Sequence, residues 1–351
     1  MELGSEFNLK LEDIVEKSDN IYKYLADYDT MYFNSGRSGF MALDAILPKG
    51  KVLVPGYLCD CVIESFKNHD VEFIKVNECL EYDVEEFFNK LDYDVVAVVL
   101  MNYFGHLQDP DLIKQIEKWK ETYDFIVIED TTHSIFSNPL TIGDYGICSL
   151  RKWLPIPDGG VLYSKKSLDD IRSNDYNRNE NINKAYGMIL KTLYLENGFD
   201  FNKEYRNIFA KSEERLDFQE MPLLISSFSQ YLMRCIDIKD MVLKRQENGK
   251  YIYSSLKKSG NMDFVVNFKR DECPLTVPIY IENRNVFRKY LIDNNIFCAV
   301  HWPIENTVLG ENRWAVNISD SIISLPIDQR YDKKDLDYML DIIKKYFSEE
   351  C

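Results

Sequence analysis

Short apolar runs alternate with longer amphipathic segments between residues 52 and 163, and this alternation constrains the fold more than any other feature of the sequence. The runs are continuously apolar, which is typical of strands buried on both faces of a parallel sheet. Residues 112–123 instead carry apolar side chains at helical spacing. The pattern predicts an α/β fold in which a mostly parallel sheet lies between two layers of helices. The predicted strands are residues 52–54, 73–74, 95–101, 125–128, 145–149 and 160–163.

The second half of the chain has a different pattern. Residues 172–222 are rich in Asn, Lys, Glu and Tyr and contain no clear strand, so we expect an irregular, partly helical arm at an interface. A long helix is expected from residue 223 to about residue 256. Beyond it, strand and helix patterns alternate at residues 276–280, 286–294, 322–325 and 333–347, which indicates a smaller α+β domain. The sequence therefore predicts a large domain over residues 1–235 and a small domain over residues 236–351.

The charge and the cysteines exclude several classes of protein. The 42 basic and 58 acidic residues give a formal net charge of −16, which makes nucleic acid and anionic membrane poor partners. No run approaches the ~20 apolar residues of a membrane span, and the N-terminal sequence does not resemble a secretory signal. The eight cysteines form no CxxC pair, so we expect free thiols, no metal site and a cytoplasmic location.

Small and polar residues, Asn34-Ser-Gly-Arg-Ser-Gly39, precede an apolar segment that can form a helix. Backbone N–H groups at the start of such a helix, together with its dipole, suit a phosphate group. A plain glycine-containing loop, with Ser38 as the helix cap, explains the same residues. Taken alone, this motif leaves both interpretations open.

An apolar run ends in an acidic pair at Glu129 and Asp130 and continues as Thr-Thr-His133. Ligands of open parallel sheets bind at the carboxyl ends of the strands, so Asp130 is expected to point into the ligand crevice. A carboxylate there can bind a metal ion, a base or a protonated ring nitrogen. Asp130 as a helix cap and His133 as a buried structural residue are the alternatives.

Lys152 follows a short predicted strand and Arg151, and precedes a proline-containing loop and the sequence Asp158-Gly-Gly. Lysine forms Schiff bases when its pKa falls through burial or a neighbouring cation, and Arg151 is such a cation. Because most lysines are simply solvated, the significance of Lys152 depends on the motifs around it.

Taken in order, these elements resemble the DegT/DnrJ/EryC1/StrS family of fold type I pyridoxal-phosphate-dependent aminotransferases, over nearly the whole chain. The resemblance implies a mostly parallel seven-stranded sheet sandwiched by helices, with a smaller C-terminal α+β domain, and pyridoxal 5′-phosphate (PLP) as the cofactor. Its motifs are matched by Ser35-Gly-Arg-Ser38, Val54-Pro-Gly-Tyr57, Tyr103-Phe-Gly-His106, Glu129-Asp-Thr-Thr-His133, the segment from Ser149 to Gly160, Val300-His-Trp-Pro303 and Leu325-Pro-Ile-Asp-Gln-Arg-Tyr331.

The resemblance implies that Lys152 and Asp130 are the catalytic residues. Lys152 would form the Schiff base with PLP and later move the proton of the substrate. Asp130 would keep the ring nitrogen protonated so that the ring accepts electrons, and His133 would contact the ring hydroxyl. The phosphate would be held by the backbone of Gly36 and Arg37 and by the hydroxyls of Ser38 and Ser149.

Two positions depart from the family pattern. Ser149 precedes Lys152 by three residues, whereas the family usually has five. Cys59 stands where relatives usually place an aromatic residue over the cofactor ring, so we expect Tyr57 to stack on the ring instead. The alternatives are a ring packed on the Cys59 thiol and Tyr57 as a core aromatic. His301 and Trp302 are candidate substrate contacts, or Trp302 simply fixes a turn.

The predicted activity is transfer of an amino group from an amino acid, such as glutamate or glutamine, to a carbonyl compound such as a keto-sugar nucleotide. A PLP-dependent lyase, dehydratase or decarboxylase would use the same lysine and aspartate. A non-catalytic family member acting as a binding subunit is a third alternative, against which the presence of Lys152 argues. The family resemblance also implies a homodimer, with residues 172–222 as the contact.

Overall fold

A nine-stranded sheet forms the centre of the molecule in the computed structural model, which describes residues 2–179, 182–259, 262–304 and 313–349. Two smaller sheets complete the strands of the described residues. The strands are β1 (Leu3–Gly4), β2 (Asp29–Phe33), β3 (Lys51–Pro55), β4 (Asp70–Ile74), β5 (Val95–Met101), β6 (Ile126–Asp130), β7 (Tyr145–Cys148), β8 (Gly160–Ser164), β9 (Asn177–Arg178), β10 (Leu223–Leu224), β11 (Asp263–Phe264), β12 (Val277–Tyr280), β13 (Ile296–Phe297) and β14 (Ile322–Leu325).

The large sheet has the strand order β4-β3-β5-β6-β7-β8-β2-β10-β9. Strands β4, β3, β5, β6 and β7 run parallel, and β8 is antiparallel to both of its neighbours. The predicted mostly parallel seven-stranded sheet is confirmed, and two strands of two residues, β10 and β9, extend one edge. Strand β2 is absent from the sequence-based prediction because its polar residues, Asp29 and Thr30, hide it from an apolar-run criterion.

Helices pack against the sheet, and several of them begin at a side chain that caps the first turn. Helix α5 shows the rule: the Asp109 side chain accepts a hydrogen bond from the Asp111 N–H, Pro110 occupies the first turn, and Leu112 and Ile116 are buried. The helices are α1 (Ile21–Tyr24), α2 (Gly36–Asp44), α3 (Asp60–Ile63), α4 (Val84–Lys90), α5 (Pro110–Tyr123), α6 (Asp169–Arg172), α7 (Ile182–Asn197), α8 (Asn202–Asp217), α9 (Ser227–Leu232), α10 (Ile238–Ser259), α11 (Arg284–Asp293), α12 (Arg313–Ser321) and α13 (Lys333–Glu349).

Two sequence-based expectations differ from the structure. The helix expected from residue 223 is broken into β10, α9, a 3₁₀ turn and α10, because Ser226 caps a new helix at Ser229 and hydrogen-bonds to buried Asp158. The arm expected to be irregular over residues 172–222 contains two regular 16-residue helices, α7 and α8, packed against each other. The polar composition of α8 hid its buried residues, Tyr205, Phe209 and Ser212, from the sequence pattern.

The C-terminal part of the chain forms a smaller α+β layer around the antiparallel sheet β11-β12-β14. Helices α10, α11 and α13 pack against it around a separate apolar core. The N-terminal strand β1 pairs with β13 of this layer, so the first residues of the chain contribute to it. The smaller α+β unit is confirmed, while the boundary at residue 235 stays a prediction.

The described part of the chain contains no helix long and apolar enough to cross a membrane. The seven cysteines of the described residues all carry free thiols.

Candidate active site

The N-terminus of α2 meets the ends of β7 and β8. Ser35 adopts extended backbone angles and caps the helix by accepting a hydrogen bond from the Ser38 N–H (3.3 Å). A Cβ atom on Gly36 would lie 3.4 Å from Cβ of Ser149, and one on Gly160 would lie 2.3 Å from the Ser35 backbone. The glycines therefore let the positive end of the α2 dipole approach the carboxyl end of the sheet.

Asp130 is the last residue of β6 and is buried at the carboxyl end of the sheet. Its Oδ1 accepts a hydrogen bond from the Thr132 N–H (3.0 Å). Burial raises the pKa of Asp130, while the Thr132 hydrogen bonds and the charge of Lys152 act in the opposite direction. The carboxylate is thus held close to a lysine in a site that disfavours an uncompensated negative charge.

Lys152 ends a 3₁₀ turn, Leu150–Lys152, that follows β7 directly. This tight turn accommodates the shortened spacing from Ser149, which lies at the N-terminal end of the turn. The Lys152 Nζ lies 3.3 Å from Nε2 of His133 and 5.6 Å from the centre of the Trp302 ring. Three segments distant in sequence therefore meet at one amine.

His133 packs against the pair His301–Trp302 next to Lys152. The Trp302 ring stacks on the His133 ring with centroids 5.3 Å apart and an interplanar angle of 15°. His301 hydrogen-bonds to Ser324 through Nδ1 (2.8 Å), and burial, with Lys152, lowers the pKa of His301 to about 3. The structure thus brings both candidate substrate residues to Lys152, as neutral aromatic surfaces.

A cavity of about 540 Å³ lies between these groups. A second cavity, of about 480 Å³, lies on the other side of Lys152 against the smaller α+β layer, with Lys152 and His301 lining both. Both volumes fall in the range of small-molecule sites. The first cavity is lined by Ser35, Gly36, Arg37, Cys59, Asp130, Thr132, Ser149, Lys152, His301 and Trp302, among others.

Three predicted contacts, Ser38, Tyr57 and His133, are absent from the lining of the first cavity, and the His133 ring is fully buried against Trp302. The Ser38 hydroxyl donates to Asn34 (2.6 Å) and accepts from the Gln219 side-chain amide (2.6 Å), so it is committed within the protein. Tyr57 is fully buried behind Trp302, with ring centroids 5.5 Å apart, and its hydroxyl donates to the His301 carbonyl. Ser35 and Trp302 line the cavity where Ser38 and Tyr57 were expected.

Cys59 and Cys61 both line the first cavity. Their mutual hydrogen bond and the charge of Lys152 lower the pKa of the Cys59 thiol to about 7, against the effect of burial. The pKa of Cys61 rises through the same hydrogen bond and burial. The site therefore has a thiol that ionises near neutral pH where relatives usually have an aromatic ring.

Helix α8 contributes residues that sequence analysis missed. Glu213 accepts two hydrogen bonds from the Arg151 guanidinium and pairs with Lys184 of α7. Asp217 lies 3.3 Å from the Arg37 guanidinium, which also pairs with Glu64 at 2.5 Å. Glu213 and Asp217 carry no motif, and only the folding of α8 against the site reveals their role.

Comparison with known proteins shows which of them share this fold. No protein-family profile and no curated protein matches the chain. Among solved structures, CalS13 from Micromonospora echinospora, a sugar aminotransferase, is 14% identical with a TM-score of 0.67 and covers 98% of this chain and 99% of its own. The chain has the fold of the sugar aminotransferases.

Two other structures share this fold. Spr1654 from Streptococcus pneumoniae is 12% identical with a TM-score of 0.68 over 98% of this chain and 97% of its own, and it has been solved in apo, PLP and PMP forms. A DegT/DnrJ/EryC1/StrS aminotransferase from Brucella abortus is 15% identical with a TM-score of 0.64, covering 97% and 91%. The motif resemblance and the fold thus point to the same group of proteins.

Proposed function

We propose that this protein is a PLP-dependent aminotransferase that carries its cofactor on Lys152. The observation that carries the proposal is the convergence of three groups on one cavity: the Lys152 amine, the buried Asp130 carboxylate and the N-terminus of α2. These groups match a cofactor that has an aldehyde, a basic ring nitrogen and a phosphate. Bound PLP supplies an electron sink for the substrate carbanion.

The residues around the cavity fit this cofactor. Asp130 is buried, and a protonated ring nitrogen next to it would offset the free-energy cost of burying its negative charge. The backbone N–H groups at the start of α2, with the Ser149 side chain, offer donors to a phosphate, whereas the Ser35 hydroxyl donates to Asn34 Oδ1 (3.0 Å). We therefore assign phosphate binding to Gly36, Arg37 and Ser149, while Ser35 caps the helix and Ser38 supports the loop.

The other side chains near the cavity have separate roles in the proposed reaction. Lys152 Nζ holds the cofactor and moves the substrate proton, because it is the amine next to the cavity. His133 and Trp302, stacked on each other, limit where a ring can lie, and Trp302 with Cys59 replaces Tyr57 as the surface facing it. These side chains reduce access of water to the reacting atoms.

The charged residues that line the second cavity favour an anionic substrate. In a chain of net charge −16, this cavity has more cationic than anionic lining residues. Such a surface attracts anions, which suits the carboxylate of an amino donor and the phosphates of a keto-sugar nucleotide acceptor. The cationic residues are Arg151, Lys152, Lys184, Arg245, Arg288 and Arg330, and the anionic residues are Glu6, Glu213 and Asp328.

A homodimer in the cytoplasm completes the proposal. Large apolar side chains are exposed on α7 and beyond α8, including Ile182 (73% exposed), Phe218 (77%) and Met221 (56%). Clustered exposed apolar residues mark interaction surfaces. A second copy of the chain bound there would bury them.

One experiment tests the central assignment. The purified protein is incubated with PLP, reduced with borohydride and digested, and the modified lysine is located by mass spectrometry. We expect label on Lys152, its loss in Lys152→Ala and its retention in Lys166→Ala, a substitution at an exposed lysine. Label on another lysine alone would remove Lys152 from the mechanism. Amine-dependent conversion of the cofactor to its amino form, with release of a keto acid, separates transamination from elimination or decarboxylation.

A further inference from the structure

The turn that carries Lys152 is held from behind by Trp153, which is fully buried. The indole N–H of Trp153 donates to the Thr132 carbonyl (2.8 Å), and its ring packs edge-on against Phe136 at 4.9 Å. Because Thr132 follows Asp130 by two residues, this hydrogen bond ties the Lys152 turn to the turn after Asp130.

Arg245 of α10 packs on the same indole. Its guanidinium carbon lies 4.6 Å from the centre of the Trp153 ring. Arg245 is 1% exposed, and within the described residues it forms no ion pair. Its Nη1 donates to the Leu275 carbonyl (3.0 Å), and its Nε donates to Oε1 of Gln329 (2.9 Å). A buried cation is therefore held by neutral oxygens.

Gln329 closes this network. While Oε1 accepts from Arg245, Nε2 donates to the backbone carbonyl of Trp153 (2.8 Å). A primary amide is the side-chain group that accepts at one end and donates at the other without carrying charge. Gln329 thus joins a buried cation of α10 to the residue next to Lys152.

From this geometry we infer that Gln329 is a positioning residue, whose amide bridges Arg245 to the Trp153 carbonyl and thereby sets where the Lys152 amine lies. The inference rests on the proposed function of Lys152. Arg245 and Asp328 also line the second cavity, so the bridge lies between that cavity and the amine. The short Ser149–Lys152 spacing makes such support valuable, because the turn has few residues of its own to hold it.

The substitution Gln329→Glu separates positioning from simple packing. A glutamate keeps the shape and gives Arg245 a charged acceptor, so the packing of the two layers should be preserved or strengthened. It has no N–H for the Trp153 carbonyl, however, and places a second oxygen against it. Gln329→Met removes both hydrogen bonds at similar volume. Gln246→Met is the matched control, because Gln246 lies next to Arg245 on α10 and its amide donates to the carbonyls of Asp271 and Glu272, away from Lys152.

The absorbance of the PLP-loaded protein is measured across pH for wild type and each variant. The rate of PLP attachment, the melting temperature and the kinetics with the amino donor are measured on the same proteins. For Gln329→Glu we expect an unchanged or higher melting temperature, a displaced pH midpoint of cofactor absorbance, and kcat lowered about tenfold with the donor KM within about twofold. Gln329→Met should show the same spectral change, and Gln246→Met should behave as wild type.

The outcomes separate this inference from the proposed function. If wild-type protein attaches PLP at Lys152 but both Gln329 variants keep its pH midpoint and kcat, the positioning role is wrong and the proposed function stands. If Gln246→Met shifts the midpoint as much as the Gln329 variants do, the effect is general packing and the inference is also wrong. If wild-type protein does not attach PLP at Lys152, both fall.

Discussion

The amine nitrogen of Lys152 lies 3.3 Å from Nε2 of His133, whose Nδ1 accepts a hydrogen bond from the Phe104 N–H (3.3 Å). Burial, with the charges of Lys152 and His301, places the pKa of His133 well below its usual value, so the ring is neutral. A neutral imidazole that accepts at Nδ1 carries its proton on Nε2. That N–H faces the Lys152 amine, whose neutral form is the nucleophile.

Replacing His133 with Asp should therefore hinder attachment of PLP at neutral pH. A carboxylate beside Lys152 stabilises the ammonium form, so the half-maximal attachment rate should move to higher pH by about one to three units. Stopped-flow absorbance at a series of pH values measures this. His133→Asn, which adds no charge, serves as the control, and an unchanged profile in His133→Asp would contradict the role assigned to His133.

Asp130→Asn should lower activity and stabilise the cofactor-free protein. Asparagine carries no negative charge to keep the ring nitrogen of the cofactor protonated, so kcat should fall by about 100-fold. Removing one group that stabilises transition-state charge has an effect of this order. Because burial raises the pKa of Asp130, its contribution to stability is present at low pH and lost as pH rises through that pKa. The gain in melting temperature should thus be larger at about pH 8 than at about pH 4, and calorimetry that finds equal gains would refute this explanation.

Cys59 should react with iodoacetamide near neutral pH. Its hydrogen bond from Cys61 and the charge of Lys152 lower the pKa of the thiol to about 7, so the alkylation rate should rise with a midpoint of about pH 7. Peptide mass spectrometry locates the adduct, exposed Cys79 serves as the internal reference, and bound PLP should protect Cys59 alone. Equal protection of both cysteines would place Cys59 outside the cofactor cavity.

Trp302→Phe and Trp302→Ala should differ in stability and in binding. Trp302 is 8% exposed and packs on both His133 and Tyr57, so truncation to Ala should cost about 3–5 kcal/mol of unfolding free energy. Trp302→Phe keeps an aromatic face and should retain most of the stability. Chemical denaturation and KM for the substrates measure the two effects, and a wild-type KM in a folded Ala variant would exclude Trp302 from binding.

Phe218→Asp should weaken self-association. Placing a charge on this 77% exposed side chain next to α8 opposes burial of the proposed contact surface. Sedimentation velocity should show a dimer for wild type and a larger monomer fraction for the variant. Val286→Asp, at an exposed position on α11, should leave the dimer intact. A wild-type protein that sediments as a monomer at all concentrations would contradict the dimer proposal.

Local patterns were sufficient for much of the fold. The strands β5 and β6 were predicted because continuous apolar runs of seven and four residues leave few alternatives to a buried parallel strand. Strand β2 and the breaks before α10 were not predicted, because Thr30 pairs with Tyr163 and Ser226 hydrogen-bonds to Asp158, both of which are distant in sequence. The segment that forms α7 and α8 was expected to be irregular and only partly helical, because Asn, Lys, Glu and Tyr dominate residues 172–222.

The sequence by itself determined that Asp130 and Lys152 would meet, because parallel strands place their carboxyl ends on one edge of the sheet. For the N-terminus of α2 the motif alone left two interpretations open, and the expectation came from the family resemblance. Tertiary structure alone decided which side chains face the cavity. Ser35 lines it while Ser38 bonds to Gln219, and Trp302 lies in front of Tyr57. It also decided that Gln329 reaches the residue next to Lys152, since contacts between residues far apart in the chain depend on how whole elements pack and leave no local signal.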